Sequence, residues 1–460
     1  MLFPEHIHPW IYDNVLKFTC DKTVMNSPLF FLPLEHYLIH FVLLSLVHVA
    51  PPSLMRTLVA YPFLLYHLYW SPLADISKNA DSSTFCHSLI TTQIAAMTTT
   101  IFLSPPESTG YRLKYKSGVE GCTDDDHDVA RFQPYTWNKL FWAFERCFVN
   151  MRGVGWNFQM KSVTERPRKG NNVFHFIVSK CIFQEIFLKY WAYDISLFIY
   201  DVLMLTPSDM ARQSSFVVSL SDIMNYHWIL RLLIHSLSAT TIIYYGLNLA
   251  YWCGAILSLM VGFSQVEDWP DMFQLGKGGF SMCAFWSTWW HQYLSRDAYI
   301  LSKTVVDGLG ISKRLRRYLL VLGTFMLCGF IHAIASLSLP WDGNTHYNPY
   351  VPKWVPNELY LDILDREISP NRCFYSMYLF FHAAHVMFVE LAFQKYVLSP
   401  LLKHLPLHSR FWTITFRILA SLWMLSAHAW PVLMYIQELH HGGFDFPHYM
   451  DAFTFTKLIH

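Results

Sequence analysis

The sequence has 460 residues, of which 53% are hydrophobic and 15% are charged, whereas soluble domains carry about 25% charged residues. Too few charges remain to cover a soluble surface, so lipid must form part of the solvent. The formal net charge of +1 provides no field that would attract nucleic acid. The nine cysteines form no Cys-x-x-Cys pair, so we expect neither a metal site nor a disulfide framework.

Apolar runs long enough to cross a bilayer follow one another along the chain. They lie at residues 33–50, 55–70, 84–103, 317–338, 373–395 and 411–437. The stretch 228–263 is too long for one span, and we expect two helices that meet near Gly246. The stretch 173–205 is expected to hold two further helices that are short, tilted or interfacial. The sequence therefore predicts an all-α polytopic membrane protein with about 8–10 transmembrane helices and one domain over 1–460.

Basic residues divide the polar loops into two kinds. Residues 105–172 contain eleven Lys or Arg and residues 265–317 contain seven, whereas 339–372 holds five acidic against three basic residues. By the positive-inside rule, the first two loops should face the cytosol and the third the lumen.

Residues 285–296 read Phe-Trp-Ser-Thr-Trp-Trp-His-Gln-Tyr-Leu-Ser-Arg. On a helix, one face would be aromatic and would carry Trp286, Trp289, Trp290 and Tyr293. A separate polar face would carry Thr288, His291, Gln292 and Ser295. Taken alone, this pattern favours an interfacial helix in which a satisfied histidine serves as a membrane anchor.

His332 lies in an uncharged run between Tyr318 and Leu339. A helix that starts near Arg317 would place it roughly 22 Å along the axis, within a hydrocarbon core about 30 Å thick. An ionisable side chain at this depth indicates function. Its neighbours one turn away are small, namely Cys328, Gly329, Ala335 and Ser336. Small residues leave a groove that admits either a substrate or another helix, and the sequence leaves both interpretations open.

A neutral imidazole in a dry interior suits general-base chemistry. It can take the proton of an alcohol as the oxygen attacks a thioester carbonyl. An intramembrane chamber also keeps out water, which would otherwise hydrolyse the thioester.

The order of these motifs resembles the membrane-bound O-acyltransferase superfamily, and more closely its wax synthase-like branch. A Phe-Trp-x-x-x-Trp-His-Gln segment precedes an intramembrane histidine by 41 residues. An upstream Arg-Gly-x-Gly-Trp-Asn element carries Arg152, Gly153, Gly155, Trp156 and Asn157. Pro270 and Phe273 match the Pro-x-x-Phe that precedes the Phe-Trp helix. By motif, the resemblance covers about 145–340.

The resemblance implies a fold and site residues. Transmembrane helices would enclose an intramembrane catalytic chamber, with His332 as the catalytic histidine and His291 as the second active-site position. Trp286 and Trp290 match the aromatic positions of the motif. Further candidates for contact with substrate or coenzyme A are Gln292, Arg296, Lys277, Cys328, Gly329 and Ser336. Ser287 and Thr288 depart from the Gly-Arg pair usual in plant wax synthases, so the acyl-chain preference does not carry over.

The implied reaction transfers an acyl group from acyl-CoA to a hydroxyl of a hydrophobic small molecule, and acetyl is the expected acyl group. Fungal members of this branch acetylate terpenoids and meroterpenoids in secondary metabolism. The expected partners are the lipid bilayer, acyl-CoA as co-substrate and a hydrophobic alcohol, in the endoplasmic reticulum and without a bound cofactor. Two alternatives stay open, namely a wax ester synthase that uses long-chain acyl-CoA and fatty alcohol, and a membrane transporter with a buried histidine relay.

Overall fold

A computed structural model describes the chain in several stretches and at a few isolated positions. The stretches are 45–70, 133–145, 150, 152–160, 172–204, 228–274, 281–337, 374–402 and 410–441. The described part is helical, apart from a hairpin in which the strands Tyr115–Lys116 (β1) and Val119–Glu120 (β2) pair antiparallel. The prediction of an all-α protein is therefore confirmed, whereas the predicted span 84–103 and the acidic loop 339–372 fall largely outside the described residues.

The helices follow one another with short π-helical and 3-10 segments between them. The α-helices are α1 (Leu54–Trp70), α2 (Trp137–Phe144), α3 (Val173–His175), α4 (Leu188–Met204), α5 (Trp228–Met260), α6 (Met282–Ala284), α7 (Ser295–Gly308), α8 (Lys313–Leu337), α9 (Phe374–Phe393), α10 (Ser399–Leu402) and α11 (Arg410–His441). The π-helical segments are Phe176–Phe187, Phe285–Trp289 and Gln394–Leu398, and the 3-10 segment is Val266–Asp268.

Four of the described helices are long and apolar enough to span a membrane. The candidate spans are Leu230–Met260, Leu315–Ser336, Tyr375–Val397 and Ile418–Ile436. They lie on α5, α8, α9 and α11 and confirm a polytopic membrane protein. Large apolar side chains remain exposed on these helices, for example Leu257, Val389 and Leu422. This exposure fits helices whose outer surface meets lipid.

The predicted division of 228–263 near Gly246 is wrong. α5 is one unbroken helix of 33 residues, about 50 Å long at 1.5 Å per residue. A single glycine costs a helix only about 1 kcal/mol, and α5 contains no proline that would break it. The helix ends beyond Met260, where Gly262 takes a positive φ of 73°. Phe263 N–H then donates to Ser258 O at 3.0 Å and Gly262 N–H to Leu259 O at 3.3 Å, which is a Schellman cap.

The two helices expected within 173–205 are instead one continuous helical rod. α3 runs directly into the π-helical segment Phe176–Phe187 and then into α4. The π-helical segment buries Phe176, Cys181 and Glu185. Because the segment contains neither proline nor glycine, nothing in it forces a turn.

Four helices contribute side chains to the central apolar cluster of the described part of the chain. α8 packs along α9, while α5 packs against both α4 and α11. The central apolar cluster takes side chains from α4, α5, α9 and α11, among them Leu197, Ile242, Phe380 and Val432. This bundle fixes the helices that carry the candidate site.

α8 and α9 run antiparallel and approach each other closely. Near the start of α8, Tyr318 Oη lies 3.0 Å from His385 Nε2 on α9. At the other end, Ser336 Oγ lies 3.0 Å from Ser376 Oγ. Between these contacts, Gly329 permits the approach, because a Cβ there would lie 3.3 Å from the Cα of Met377. Of the two interpretations of the small residues, the structure shows the packing of a neighbouring helix.

The antiparallel pair makes the predicted topology testable. In sealed microsomes, Lys313→Cys and Lys395→Cys should both react with a membrane-impermeant maleimide from the cytosolic side, because both residues lie at the end of the pair that follows the basic loop. Arg168→Cys should behave in the same way, whereas Asp362→Cys should react only after permeabilisation. Residues 168 and 362 lie outside the described residues. Labelling of Asp362→Cys in intact microsomes would contradict this topology.

Candidate active site

The aromatic segment is held in place at its N-terminal end. Ser281 caps α6 by accepting a hydrogen bond from Ala284 N–H at 2.9 Å. The carboxylate of Glu390 on α9 accepts from Met282 N–H at 2.8 Å and from Cys283 N–H at 3.3 Å. A carboxylate at a helix N-terminus satisfies otherwise unpaired N–H groups and complements the helix dipole. α9 therefore fixes the direction in which the aromatic segment projects.

The predicted single helix over 285–296 is wrong. The π-helical segment ends at Trp289, and Trp290 is extended with φ −74° and ψ 155°. The side chain of Gln292 donates to the carbonyls of Trp286 at 3.3 Å and Trp290 at 2.9 Å. These carbonyls have lost their helical partners, and the buried amide satisfies them. Gln292 thus shapes the turn, although the sequence made it a candidate for substrate contact.

Because the helix ends at Trp289, the ring of His291 lies among aromatic side chains. Its ring centroid lies 6.1 Å from that of Phe273, 5.5 Å from Trp290 and 6.2 Å from Tyr293. Nδ1 is buried and has no hydrogen-bond partner in the part of the chain that the structure describes. Buried polar atoms are rarely left without a partner. The arrangement does not fit an interfacial anchor with a satisfied histidine.

His291 is held neutral. Burial is the main cause that lowers the pKa of His291, and repulsion from His332 and Arg152 acts in the same direction, so that the pKa is about 3. Because a histidine with this pKa is unprotonated at neutral pH, its ring carries one N–H donor and one acceptor nitrogen.

Arg152 joins the upstream element to the loop that precedes the aromatic segment. Its guanidinium donates to Asp271 O at 3.0 Å, to Pro270 O at 2.9 Å and to the hydroxyl of Tyr251 at 2.6 Å. It also lies 6.0 Å from the ring centroid of Tyr293. The residue is buried, so these bonds are shielded from water. Arg152 thereby braces the backbone of the loop that precedes the aromatic segment, and it also contacts the ring of Tyr293, two residues after His291.

The glycines beside Arg152 form the tight turn that presents it. Gly153 and Gly155 have φ values of 66° and 82°, which side chains with a Cβ rarely adopt. A Cβ on Gly153 would lie 2.7 Å from the ring of Phe158. Trp156 is buried and stacks on Phe158 at 5.6 Å, whereas Asn157 is exposed. The upstream motif is therefore a folded brace.

His332 lies within the span Leu315–Ser336 on α8. Its Nδ1 lies 2.8 Å from the carbonyl oxygen of Cys328, one turn earlier. A carbonyl can only accept, so Nδ1 carries the hydrogen and the neutral ring presents a lone pair at Nε2. The ring packs against Phe380 at 4.6 Å and Tyr435 at 6.0 Å. This tautomer leaves Nε2 to accept a proton.

Trp286 links the parts of the site. Its ring lies 5.6 Å from Phe380, which contacts His332, and 6.2 Å from Trp290, which contacts His291. Its buried Nε1 has no hydrogen-bond partner within the described residues. The two predicted histidines and the two predicted tryptophans are thus brought together in one aromatic cluster.

The structure adds a residue that the sequence interpretation missed. His428 on α11 lies 4.9 Å from Phe285 and 5.6 Å from Trp286, measured between ring centroids. The sequence did contain a signal for this residue, because His428 is an ionisable residue inside an apolar span, as His332 is. His382 and His385 give the same signal on α9, so only the packing distinguishes them.

The remaining candidates lie in other surroundings. Ser336 bonds to Ser376 between helices, and Gly329 is the contact point of α8 with α9. Cys328 packs against the central apolar cluster, and its carbonyl accepts a hydrogen bond from His332. Its thiol is not needed for that contact.

Of the two basic residues that the sequence made candidates for contact with coenzyme A, the structure describes only Arg296. Arg296 is buried, lies 3.1 Å from Asp297 Oδ1 and stacks 4.5 Å above the ring of Phe158. A guanidinium in this position supports the packing of the upstream element around Phe158. Lys277 lies outside the described residues.

Comparison with known proteins points to one class. The model of the "Membrane bound O-acyl transferase family" matches residues 269–347, which hold both candidate histidines. The chain is 25% identical to the O-mevalon transferase macI of Penicillium terrestre over 51% of this chain and 52% of that protein. It is 25% identical to the O-mevalon transferase yanI of Aspergillus niger over 64% and 67%, and 30% identical to the acetyltransferase aurG of Calcarisporium arbuscula over 22% and 26%. No solved structure matches.

These findings confirm the predicted resemblance to membrane-bound O-acyltransferases. The alignment with the macI protein spans about half the length of that relative. The wax synthase-like branch and the endoplasmic reticulum stay predictions.

Proposed function

We propose that this protein transfers an acetyl group from acetyl-CoA to a hydroxyl of a hydrophobic secondary metabolite, within the membrane. The observation that carries the proposal is the hydrogen bond from His332 Nδ1 to Cys328 O. It fixes the tautomer in which Nε2 is a base, on a membrane-spanning helix within the matched segment. Relatives named as acetyltransferases support acetyl as the acyl group.

The reaction is a direct displacement at the thioester carbonyl. His332 Nε2 takes the hydroxyl proton while the alcohol oxygen forms its bond to the carbonyl carbon. The carbon–sulfur bond then breaks, and the proton held on Nε2 passes to the departing sulfur as free coenzyme A leaves. A positioned base of this kind contributes about 100-fold to 10,000-fold. The aromatic surroundings exclude the water that would otherwise compete for the thioester.

His291 supplies the second polar group of the proposal. As a neutral ring it can donate one N–H to the carbonyl oxygen, where negative charge develops during attack. Its buried Nδ1 lacks a partner among the described residues, so a bound substrate can provide one. Arg152, Pro270 and Phe273 hold this residue in position, and we assign them no contact with substrate.

The direct test is product formation. Purified full-length protein in lipid nanodiscs would be incubated with acetyl-CoA and a panel of terpenoid and meroterpenoid alcohols, and the products read by mass spectrometry. We expect a mass gain of one acetyl group on a polycyclic alcohol, without a gain on a primary fatty alcohol. Wax ester formed from long-chain acyl-CoA and fatty alcohol would contradict the proposed substrates. The proposed compartment, the endoplasmic reticulum, is tested by fluorescence co-localisation.

A second acyl group has support from two relatives. The macI and yanI proteins are both named O-mevalon transferases and align over 249 and 316 residues. The donor panel therefore also includes the coenzyme A thioester of mevalonic acid. Preference for this donor would keep the chemistry of His332 and change the acyl group.

The role of His291 predicts different results for two substitutions. His291→Asn should keep substantial activity, because an amide N–H still donates to a carbonyl oxygen. His291→Ala should lose most of kcat at unchanged protein yield. Because the pKa of His291 is about 3, its protonation should not appear in the activity profile between pH 5 and 8. Equal inactivation by both substitutions would instead indicate proton transfer by His291 itself.

A further inference from the structure

A cleft opens between α8 and α9, at the end of the pair away from Ser336. Its volume is about 530 Å³. The residues that line it are Arg317, Tyr318, Phe388, Leu391, Gln394 and Lys395. Arg317 lies near the start of the span Leu315–Ser336, and Lys395 lies near the end of the span Tyr375–Val397. The cleft is therefore at a membrane boundary.

Two cations in this cleft have no carboxylate partner in the described part of the chain. Arg317 is exposed and makes no ion pair there, and Lys395 Nζ bonds only to the hydroxyl of Tyr396 at 3.2 Å. The adjacent Arg316 differs, because it forms an ion pair with Asp307 at 2.6 Å. Two unpaired cations facing one cleft attract a group of opposite charge.

The nearby acid does not neutralise them. Glu390 directs one carboxylate oxygen to the N–H groups of Met282 and Cys283. The other oxygen accepts from the amide of Gln394 at 3.0 Å. Its charge is thus committed to the N-terminus of α6, and the cleft keeps a positive character.

The walls of the cleft are apolar and continue onto the outer surface. Tyr318 and Phe388 pack at 4.3 Å between ring centroids. Beyond them, Leu391, Val389 and Phe393 are exposed on α9. A ligand that fits both features carries negative charge at one end and hydrocarbon at the other.

We propose that this cleft binds the phosphate headgroup of an anionic glycerophospholipid from the adjoining leaflet. The phosphate would lie between Arg317 and Lys395, with Gln394 as a further donor and the acyl chains along the exposed face of α9. Basic pockets between transmembrane helices are suited to such headgroups. The inference concerns a binding site and does not depend on the proposed acyl transfer. The same phosphate chemistry occurs in coenzyme A, which the experiment must distinguish.

The test measures lipid and coenzyme A binding separately. Full-length protein would be titrated with phosphatidylserine and, in a second series, with coenzyme A, and the complexes counted by native mass spectrometry. Each cation near a membrane surface contributes about 5-fold, which corresponds to ~1 kcal/mol. Combined Arg317→Gln and Lys395→Gln should therefore weaken phosphatidylserine about 30-fold. Lys303→Gln is the control, since Lys303 is exposed, pairs with Asp307 and lies outside the cleft.

Several results would overturn the site. Phosphatidylserine affinity that is unchanged in the double variant, or reduced equally in Lys303→Gln, contradicts it. Loss of coenzyme A binding with retained lipid binding assigns the cleft to the co-substrate instead. If the double variant does not fold, Lys395→Gln alone is the test, and it should weaken phosphatidylserine binding about 5-fold. Lipid binding to the unaltered protein should also weaken as salt is raised, and an affinity independent of salt would contradict the charge pairing.

Discussion

His332→Ala should lower kcat/KM for acetyl transfer by about 100-fold to 10,000-fold, while leaving yield and membrane insertion near normal. The imidazole is the only group on this part of α8 that presents a basic nitrogen, and Nδ1 is already bonded to Cys328 O. Initial rates of product formation, read by mass spectrometry in nanodiscs, give the value.

A second substitution separates loss of the base from loss of packing. His332→Asn keeps an N–H that can donate to Cys328 O but provides no basic nitrogen, so we expect it to be as inactive as His332→Ala. The matched control is His175→Ala, because His175 is exposed at the start of the α3 rod. Substantial turnover by a folded His332→Asn variant would contradict the role of His332 as the general base.

Arg152→Ala should cause the largest loss of stability among the substitutions considered. Alanine would leave Asp271 O, Pro270 O and the Tyr251 hydroxyl without a charged donor inside the protein. A buried acceptor that loses its donor costs about 1–3 kcal/mol, and Arg152 bonds to three of them. We therefore expect low yield and a strongly reduced thermal unfolding midpoint in detergent. Activity should fall as well, because the loop that Arg152 braces leads into Phe273 and His291.

Two controls define the cause of that loss. Arg152→Lys keeps the positive charge but cannot reach separate acceptors as a guanidinium does, so its unfolding midpoint should lie between those of Arg152→Ala and the unaltered protein. Arg316→Ala removes an exposed arginine that pairs with Asp307, and exposed pairs contribute about 0–1 kcal/mol. If Arg152→Ala were no less stable than Arg316→Ala, Arg152 would not be a brace.

The sequence predicted the helical class, which the structure confirms, and it singled out His332 by its depth in an apolar run and His291 by motif order. It did not predict that α5 is continuous. A long apolar run with a glycine in the middle is equally compatible with one tilted helix or two shorter ones, and the Gly262 cap becomes visible only from its backbone angle.

The turn after Trp289 was missed for a related reason. Helical periodicity places Trp290 and His291 on defined faces, but it does not show that Gln292 bonds to backbone carbonyls. The contribution of His428 also depends on which helices pack together. The packing of His428 joins distant parts of the chain, whereas the bonds of Gln292 are local, and helical periodicity shows neither of them.

The bond from Glu390 to the start of α6 has a consequence for biosynthesis. The two partners, Met282 and Glu390, are separated by 108 residues. While the ribosome is still making the loop after α8, both His291 and His332 have been synthesised, yet the aromatic segment lacks the carboxylate that aligns it. The site thus cannot be completed before α9 enters the membrane. A chain that stops before α9 contains both histidines and the whole matched segment 269–347. Its site is nevertheless incomplete, and we expect the cell's quality control to recognise such a chain.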